Sequence, residues 1–210
     1  MLFYSDNLDS AKLRFGDVVT GNYLASLFYS AKCNKDLFKL EVNNAKYNVI
    51  LTPCCSIQTK DDVGNIIITP LLNLKASFYG NPFFRENMLN INHIISPENH
   101  ISSKLWDKLL AEERQKRLEE GFSYALKEYF IYDTNDIYDK YSLKERDGNE
   151  IQTRYYMIDF RNAYNLKVEK IKSPENILIN SKLLELSIAS RKELNDKLQA
   201  FYRIPEEDLG

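Results

Sequence analysis

The chain has 210 residues, 44% of them apolar and 12% aromatic, which is enough for a folded core and too apolar for a disordered protein. Its 28 basic and 30 acidic residues leave a formal charge of −2, which excludes a global field that draws the molecule to nucleic acid or anionic lipid. The first fifteen residues carry Asp6 and Asp9 without a signal-length apolar run, and no membrane-length apolar stretch follows, so a cytoplasmic protein with no membrane partner is expected.

In chain order, residues 18–20, 37–42, 46–51 and 65–69 are short runs rich in β-branched and aromatic residues, separated by the turn signals Asn43-Asn44 and Asp62-Val63-Gly64. They read as four strands of a meander. Leu37, Lys39 and Glu41 alternate with Phe38, Leu40 and Val42, as in a half-buried strand. Val49-Ile50-Leu51 and Ile66-Ile67-Ile68 are continuous apolar runs, which predicts two central strands covered on both faces.

From Phe78 the character changes. Asn81-Pro82 and Ser96-Pro97 mark loops, and Ser102-Ser103 precedes a helical pattern in which Leu105, Leu109, Leu110, Arg114 and Leu118 recur, stopped by Gly121. The basic run Arg114-Gln115-Lys116-Arg117 is bracketed by Glu112-Glu113 and Glu119-Glu120, a solvated helix with internal pairs and not a phosphate track. Strand character returns at residues 153–160, after the hairpin signal Asp147-Gly148-Asn149, and again at 166–171. Ser181 is the expected N-cap of a last helix whose apolar stripe is Leu183, Leu186, Ile188, Leu194, Leu198 and Phe201, ending before Pro205. The predicted class is α+β, mainly β, as a single domain over 1–210: a barrel from 15–75 and 150–203, a helical insertion at 76–149 and a C-terminal helix.

Phe15-Gly16-Asp17-Val18-Val19, the pair of central strands, and Lys182-Leu183-Leu184-Glu185-Leu186-Ser187 before a helix with Asn195-Asp196-Lys197-Leu198 resemble, in order and spacing, the MazF/PemK family of toxins. The resemblance covers about 15–72 and 153–203, and it implies an SH3-like barrel. Enzymes of that family cut single-stranded RNA without a metal, using an Arg just ahead of the first central strand and a Thr or Ser just after the second. Here those positions read Tyr47-Asn48 and Leu71-Leu72-Asn73, so no catalytic residue is assigned. Lys46 or Thr69 could substitute only with a point charge or a displaced hydroxyl. The resemblance therefore implies a non-catalytic protein-binding module of a toxin-derived or antiviral defence system, with an antitoxin-like or sigma-factor-like partner. MazF-like subunits beside a CRISPR-linked Lon protease sequester a sigma factor in this manner. The alternative is a metal-independent endoribonuclease, with RNA as its partner.

Adjacent Cys54 and Cys55 cannot comfortably share one tetrahedral zinc, and Cys33, His93 and His100 are scattered, so neither a metal nor a cofactor is expected. Tyr155-Tyr156 beside Arg154 and Arg161 could stack on bases, but strand alternation favours packing. The expected partner-binding residues are Pro53, Cys54 and Cys55 at the barrel mouth, with Phe78, Tyr79, Phe83 and Phe84 as an aromatic anchor around Gly80-Asn81-Pro82.

Overall fold

A computed structural model describes residues 2–10, 12–20, 45–53, 56–57, 64–94, 99, 101, 103–106, 108–120, 126–145, 148–168 and 182–202. The chain divides into two units, Met1–Leu72 with Arg161–Arg191, and Asn73–Phe160 with Lys192–Gly210.

The first unit is built on an antiparallel sheet. Val18–Thr20 (β1), Tyr47–Ile50 (β2) and Gly64–Pro70 (β3) form its middle. Tyr164–Val168 (β9) and Lys182–Leu184 (β10) complete the order β10-β1-β2-β3-β9. The β1/β2 register sets Val18 opposite Val49, and β2/β3 sets Ile50 opposite Ile68. The two apolar runs are therefore neighbouring inner strands, as their composition predicts. All four residues of β2 are buried. In β3 the run alternates: Ile66 and Ile68 are fully buried while Ile67 is 40% exposed, so the expectation of cover on both faces fails there. The Ile67 backbone is nonetheless tied in, its N–H donating to Thr52 Oγ1 at 2.6 Å and its carbonyl accepting from Leu51 at 2.8 Å. Leu13, Val19, Ile50, Ile57, Ile66 and Ile68 make the core, with Tyr164 packed against it.

Among the described residues the sheet is open, with β10 and β9 at its ends, and not a closed barrel. The expected strand at 37–42 lies outside the described residues. Lys182–Leu184 is a strand, not the opening of the last helix. Its pairing with β1 (Val18 opposite Leu184) satisfies the ladder that a helix would satisfy internally. The helix Ile188–Tyr202 starts after Ser187, whose hydroxyl accepts from the Ser190 amide at 3.2 Å, so Ser187 is the cap. The expected cap, Ser181, lies outside the described residues.

In the second unit Tyr129–Tyr132 (β5) pairs with Tyr156–Asp159 (β8), in a three-stranded sheet that includes Leu72–Asn73 (β4) in the order β4-β8-β5. The segment 153–160, expected to resume the barrel, thus builds a different sheet. The region expected to be a helical insertion, 76–149, contributes strands as well: β5 and Tyr141–Lys144 (β6), the latter in a hairpin with Glu150–Thr153 (β7), from the part expected to belong to the barrel. Gly148 turns the hairpin with φ +89°, a conformation that favours glycine. Tyr156 is buried against Tyr138 and Tyr141, ring centroids 4.9 and 5.2 Å away, which removes it as a stacking platform.

The helices here are short: Ala76–Tyr79 (α1), Pro82–Glu86 (α2), Ser103–Trp106 (α3) and Ala111–Glu119 (α4). The long helix expected over 105–118 is two. The chain turns at 108–110, where the Leu110 amide donates to the Glu113 carboxylate at 2.8 Å, a cap that begins a new helix. Leu105 and Leu110 are exposed, so they do not form the expected buried stripe. The last helix, Ile188–Tyr202, is α5.

Candidate functional site: a buried charge cluster at the sheet edge

Gly16 has φ +86°, and the turn it makes sends the Arg14 amide to Asp17 Oδ2 at 2.7 Å while Asp17 N–H donates to the Arg14 carbonyl at 3.1 Å. This aims the Asp17 carboxylate inward at the start of β1. On the neighbouring strand Lys182 points to the same spot, and its Nζ lies 2.8 Å from Asp17 Oδ2 and 2.7 Å from Glu185 Oε2. It also donates to the carbonyls of Asp9 at 3.0 Å and Lys12 at 2.9 Å. Four oxygens thus surround an ammonium that has three hydrogens to give.

Glu185 Oε1 in turn receives Arg191 Nη2 at 3.1 Å, and Arg191 also donates from Nε to the Phe15 carbonyl at 3.1 Å. Arg14 Nη2 meets Asp9 Oδ2 at 3.0 Å. Arg14 Nε approaches Glu185 Oε1 to 3.2 Å without hydrogen-bond alignment, so it is a close ion pair with an unsatisfied N–H. Asp9, Asp17 and Glu185 are matched by Arg14, Lys182 and Arg191, with Asp17, Lys182 and Glu185 buried and the Arg14–Asp9 pair a third exposed at the margin, so the buried charges have partners.

Asp17 is fully buried, and its Oδ1 has no hydrogen-bond partner. Burial pushes its pKa up to about 6 despite the hydrogen bond and charge of Lys182, a cation it shares with Glu185. Glu185 moves the other way. Burial raises it, but Lys182, the Asp9 amide and Arg14 outweigh burial and hold it below its ordinary value of 4.5.

Because folded Asp17 binds a proton more readily than unfolded Asp17, its contribution is full below about 3.8 and is lost as pH rises through about 6. Glu185, depressed, contributes above 4.5 and loses it as pH falls through its lower folded value. The Asp17 shift is on the order of 2 to 3 kcal/mol. Urea midpoints of the wild type should fall between pH 4 and 6.5, and Asp17→Asn should remove most of that slope. Comparing the two proteins isolates Asp17 from Glu193, which burial also raises. Equal slopes would show that Asp17 does not titrate in this window.

The expected partner residues are not gathered here. Pro53 is exposed, whereas Cys54 and Cys55 lie outside the described residues. Phe78, Tyr79 and Phe84 are buried in the second unit, Phe78 edge-on to Tyr129 at 5.4 Å and Tyr79 donating its hydroxyl to Thr153 at 3.1 Å. They hold that unit together and offer no surface to a partner; the Phe83 side chain lies outside the described ones. At the family's catalytic positions Tyr47, Asn48 and Leu71 are all buried. Thr69 is fully buried, and the Lys46 ammonium sits 5.3 Å above the Tyr47 ring.

The second unit holds another buried cation. Lys197 donates to the Ile91 carbonyl and, at 3.4 Å, to that of His93, closing the 3-10 turn Met88–Asn92. Burial lowers its pKa to about 8, against the opposing charges of Glu193 and Glu128. Asn92 extends β5 by exchanging two hydrogen bonds with the Ile131 backbone, at 2.9 and 2.6 Å.

A scan against models of known families finds no match to this chain, and neither do searches of curated proteins and of solved structures. No helix among the described residues is long and apolar enough to cross a membrane, and no group of three or more His, Cys, Asp or Glu among them could hold a metal ion.

Proposed function

We propose that the chain is a non-catalytic binding module related to the MazF/PemK toxins, with an SH3-like core in its first unit, and that it sequesters a protein partner of the antitoxin or sigma-factor kind within a toxin-derived defence system. The observation that carries this reading is the fate of the two catalytic positions. Tyr47 and Asn48 stand where the family places Arg, Leu71 and Leu72 where it places Thr or Ser, and Tyr47, Asn48 and Leu71 are buried, so neither of the family's two catalytic groups stands at its position for a scissile phosphate.

Support for the kinship comes from the meeting of the two motifs that carry the resemblance. Gly16-Asp17-Val18 and Lys182-Leu183-Leu184-Glu185 are adjacent strands, Val18 opposite Leu184, joined by the Asp17–Lys182 ion pair. The central strands β2 and β3 stand next to them in the same antiparallel sheet. With three of the expected aromatic anchors buried, Pro53 is the exposed one among the expected partner residues whose side chains are described.

Purified protein should leave single-stranded RNA intact in EDTA and should not arrest growth when expressed, and one protein should co-purify with it at a fixed stoichiometry. Loss of each oxyanion-type donor typically removes about 2.7 to 4 kcal/mol of transition-state stabilisation, so two absent groups predict activity at background. Cleavage in EDTA that disappears in Lys46→Ala would overturn the reading in favour of an endoribonuclease.

A further inference from the structure

β5 is the end strand of the β4-β8-β5 sheet. Glu128 turns its carbonyl toward β8, where it accepts from the Phe160 amide at 2.9 Å, so by alternation Ile131 turns its own N–H and C=O to the outer edge. One side chain meets both. Asn92 Oδ1 accepts from the Ile131 amide at 2.6 Å and Asn92 Nδ2 donates to the Ile131 carbonyl at 2.9 Å, the two bonds that a residue of a neighbouring antiparallel strand would supply. Asn92 is fully buried, and its turn, Met88–Asn92, is anchored by the buried Met88 and Ile91. Lys197 donates to the carbonyls on either side of Asn92, those of Ile91 and His93, which fixes the backbone that carries the amide.

The composition of the strand says what such an edge would otherwise attract. Tyr129-Phe130-Ile131-Tyr132 is aromatic and β-branched and has neither a charge nor a proline, the devices that keep edge strands from pairing. Two of these strands set antiparallel about Ile131 would exchange the same two bonds, Ile131 of each copy with Ile131 of the other. We propose that Asn92 is a built-in stop that ends the sheet at β5, and that the occupant it keeps out is β5 of a second copy of this chain. An amide suits the task because it carries a donor and an acceptor on one planar group, as the peptide of a strand does. The stop lies within the second unit and holds whether or not the first has lost nuclease activity.

The test uses the full chain with Asn92→Leu, which keeps the volume of the side chain and removes both bonds. Sedimentation velocity over about a hundredfold range of concentration reads association, and NMR reads exchange of the Ile131 amide. The variant should dimerise with a Kd at least about tenfold below that of any dimer the wild type forms. Its Ile131 amide should exchange about tenfold faster than in the wild type when the variant is diluted to monomer, and regain protection in the dimer. A folded variant that associates no more than the wild type would overturn the proposal, as would a dimer in which the Ile131 amide stays unprotected. If Asn92→Leu does not fold, Asn92→Ala is measured in the same way. Failure of both to fold would show that Asn92 is required for the unit itself, and would overturn a role confined to its edge.

Discussion

Lys182→Met alone should destabilise the protein by about 3 to 5 kcal/mol at pH 7, the cost of leaving a buried carboxylate without its partner. Asp17 is fully buried and Oδ1 already lacks a donor, so deleting the ammonium leaves only the Arg14 amide on Oδ2. The charge balance of the cluster then becomes net negative in an interior that cannot solvate it. Against a typical total of 5 to 15 kcal/mol this is a large fraction, visible as a displaced urea midpoint. Two controls separate charge from volume. Lowering the pH to 5 should reduce the loss, because Asp17, already raised to about 6 with lysine present, takes up a proton once the cation is gone. Adding Asp17→Asn should recover most of it, since replacing both partners of a buried pair with neutral groups of similar shape is often close to neutral. A single variant costing less than about 1 kcal/mol would mean that water reaches the cluster.

The inner strands were legible in the sequence because their signal is local. Runs such as Val49-Ile50-Leu51 and Ile66-Ile67-Ile68, short, rich in β-branched residues and bounded by turn residues, point to inner strands, and they pair as neighbours, with Ile67 alone turned outward. What the sequence left ambiguous were segments whose state is set by a distant partner. Leu183 and Leu186 are spaced for a helix face, and only the pairing of 182–184 with β1 and of Leu186 with Tyr4 makes this segment extended, with Ser187 as the cap of the helix. Segment 153–160 has the composition of any buried strand, and nothing local distinguishes β5 from the first sheet as its neighbour.

The site follows the same division. A charged residue next to an apolar pair, as in Asp17-Val18-Val19 and Lys182-Leu183-Leu184, was a readable hint of a buried charge, and Lys182 with Glu185 was visible at a spacing of three. That Asp17 and Lys182 are partners could not be read, because almost the whole chain separates them. Around Gly80-Asn81-Pro82 the turn was read correctly, Gly80 closing α1 and Pro82 opening α2. The burial of Phe78, Tyr79 and Phe84 was not, since turn chemistry fixes backbone direction and says nothing about which side chains the rest of the unit covers.

The sharpest contrast between adjacent residues falls on β3. Ile68→Asp should leave little folded protein, whereas Ile67→Asp should yield soluble protein that unfolds cooperatively. Ile68 is fully buried in the cluster of Leu13, Val19, Ile50, Ile57 and Ile66. Aspartate there forfeits about 1.5 to 3 kcal/mol of apolar burial and adds the several-kcal/mol cost of a charge with no counter-ion, together comparable with a whole domain's stability. One residue earlier the strand has turned its side chain outward. Ile67 is 40% exposed, its backbone bonds to Thr52 and Leu51 do not depend on the side chain, and the loss reduces to part of a methyl surface and the weak strand preference of Asp, about 1 kcal/mol. Soluble yield and urea midpoints of the two variants, measured side by side, decide the register of β3. Comparable damage at both positions would mean that the face bearing Ile67 is covered in solution, and a milder effect at 68 than at 67 would reverse the inside and outside of the strand.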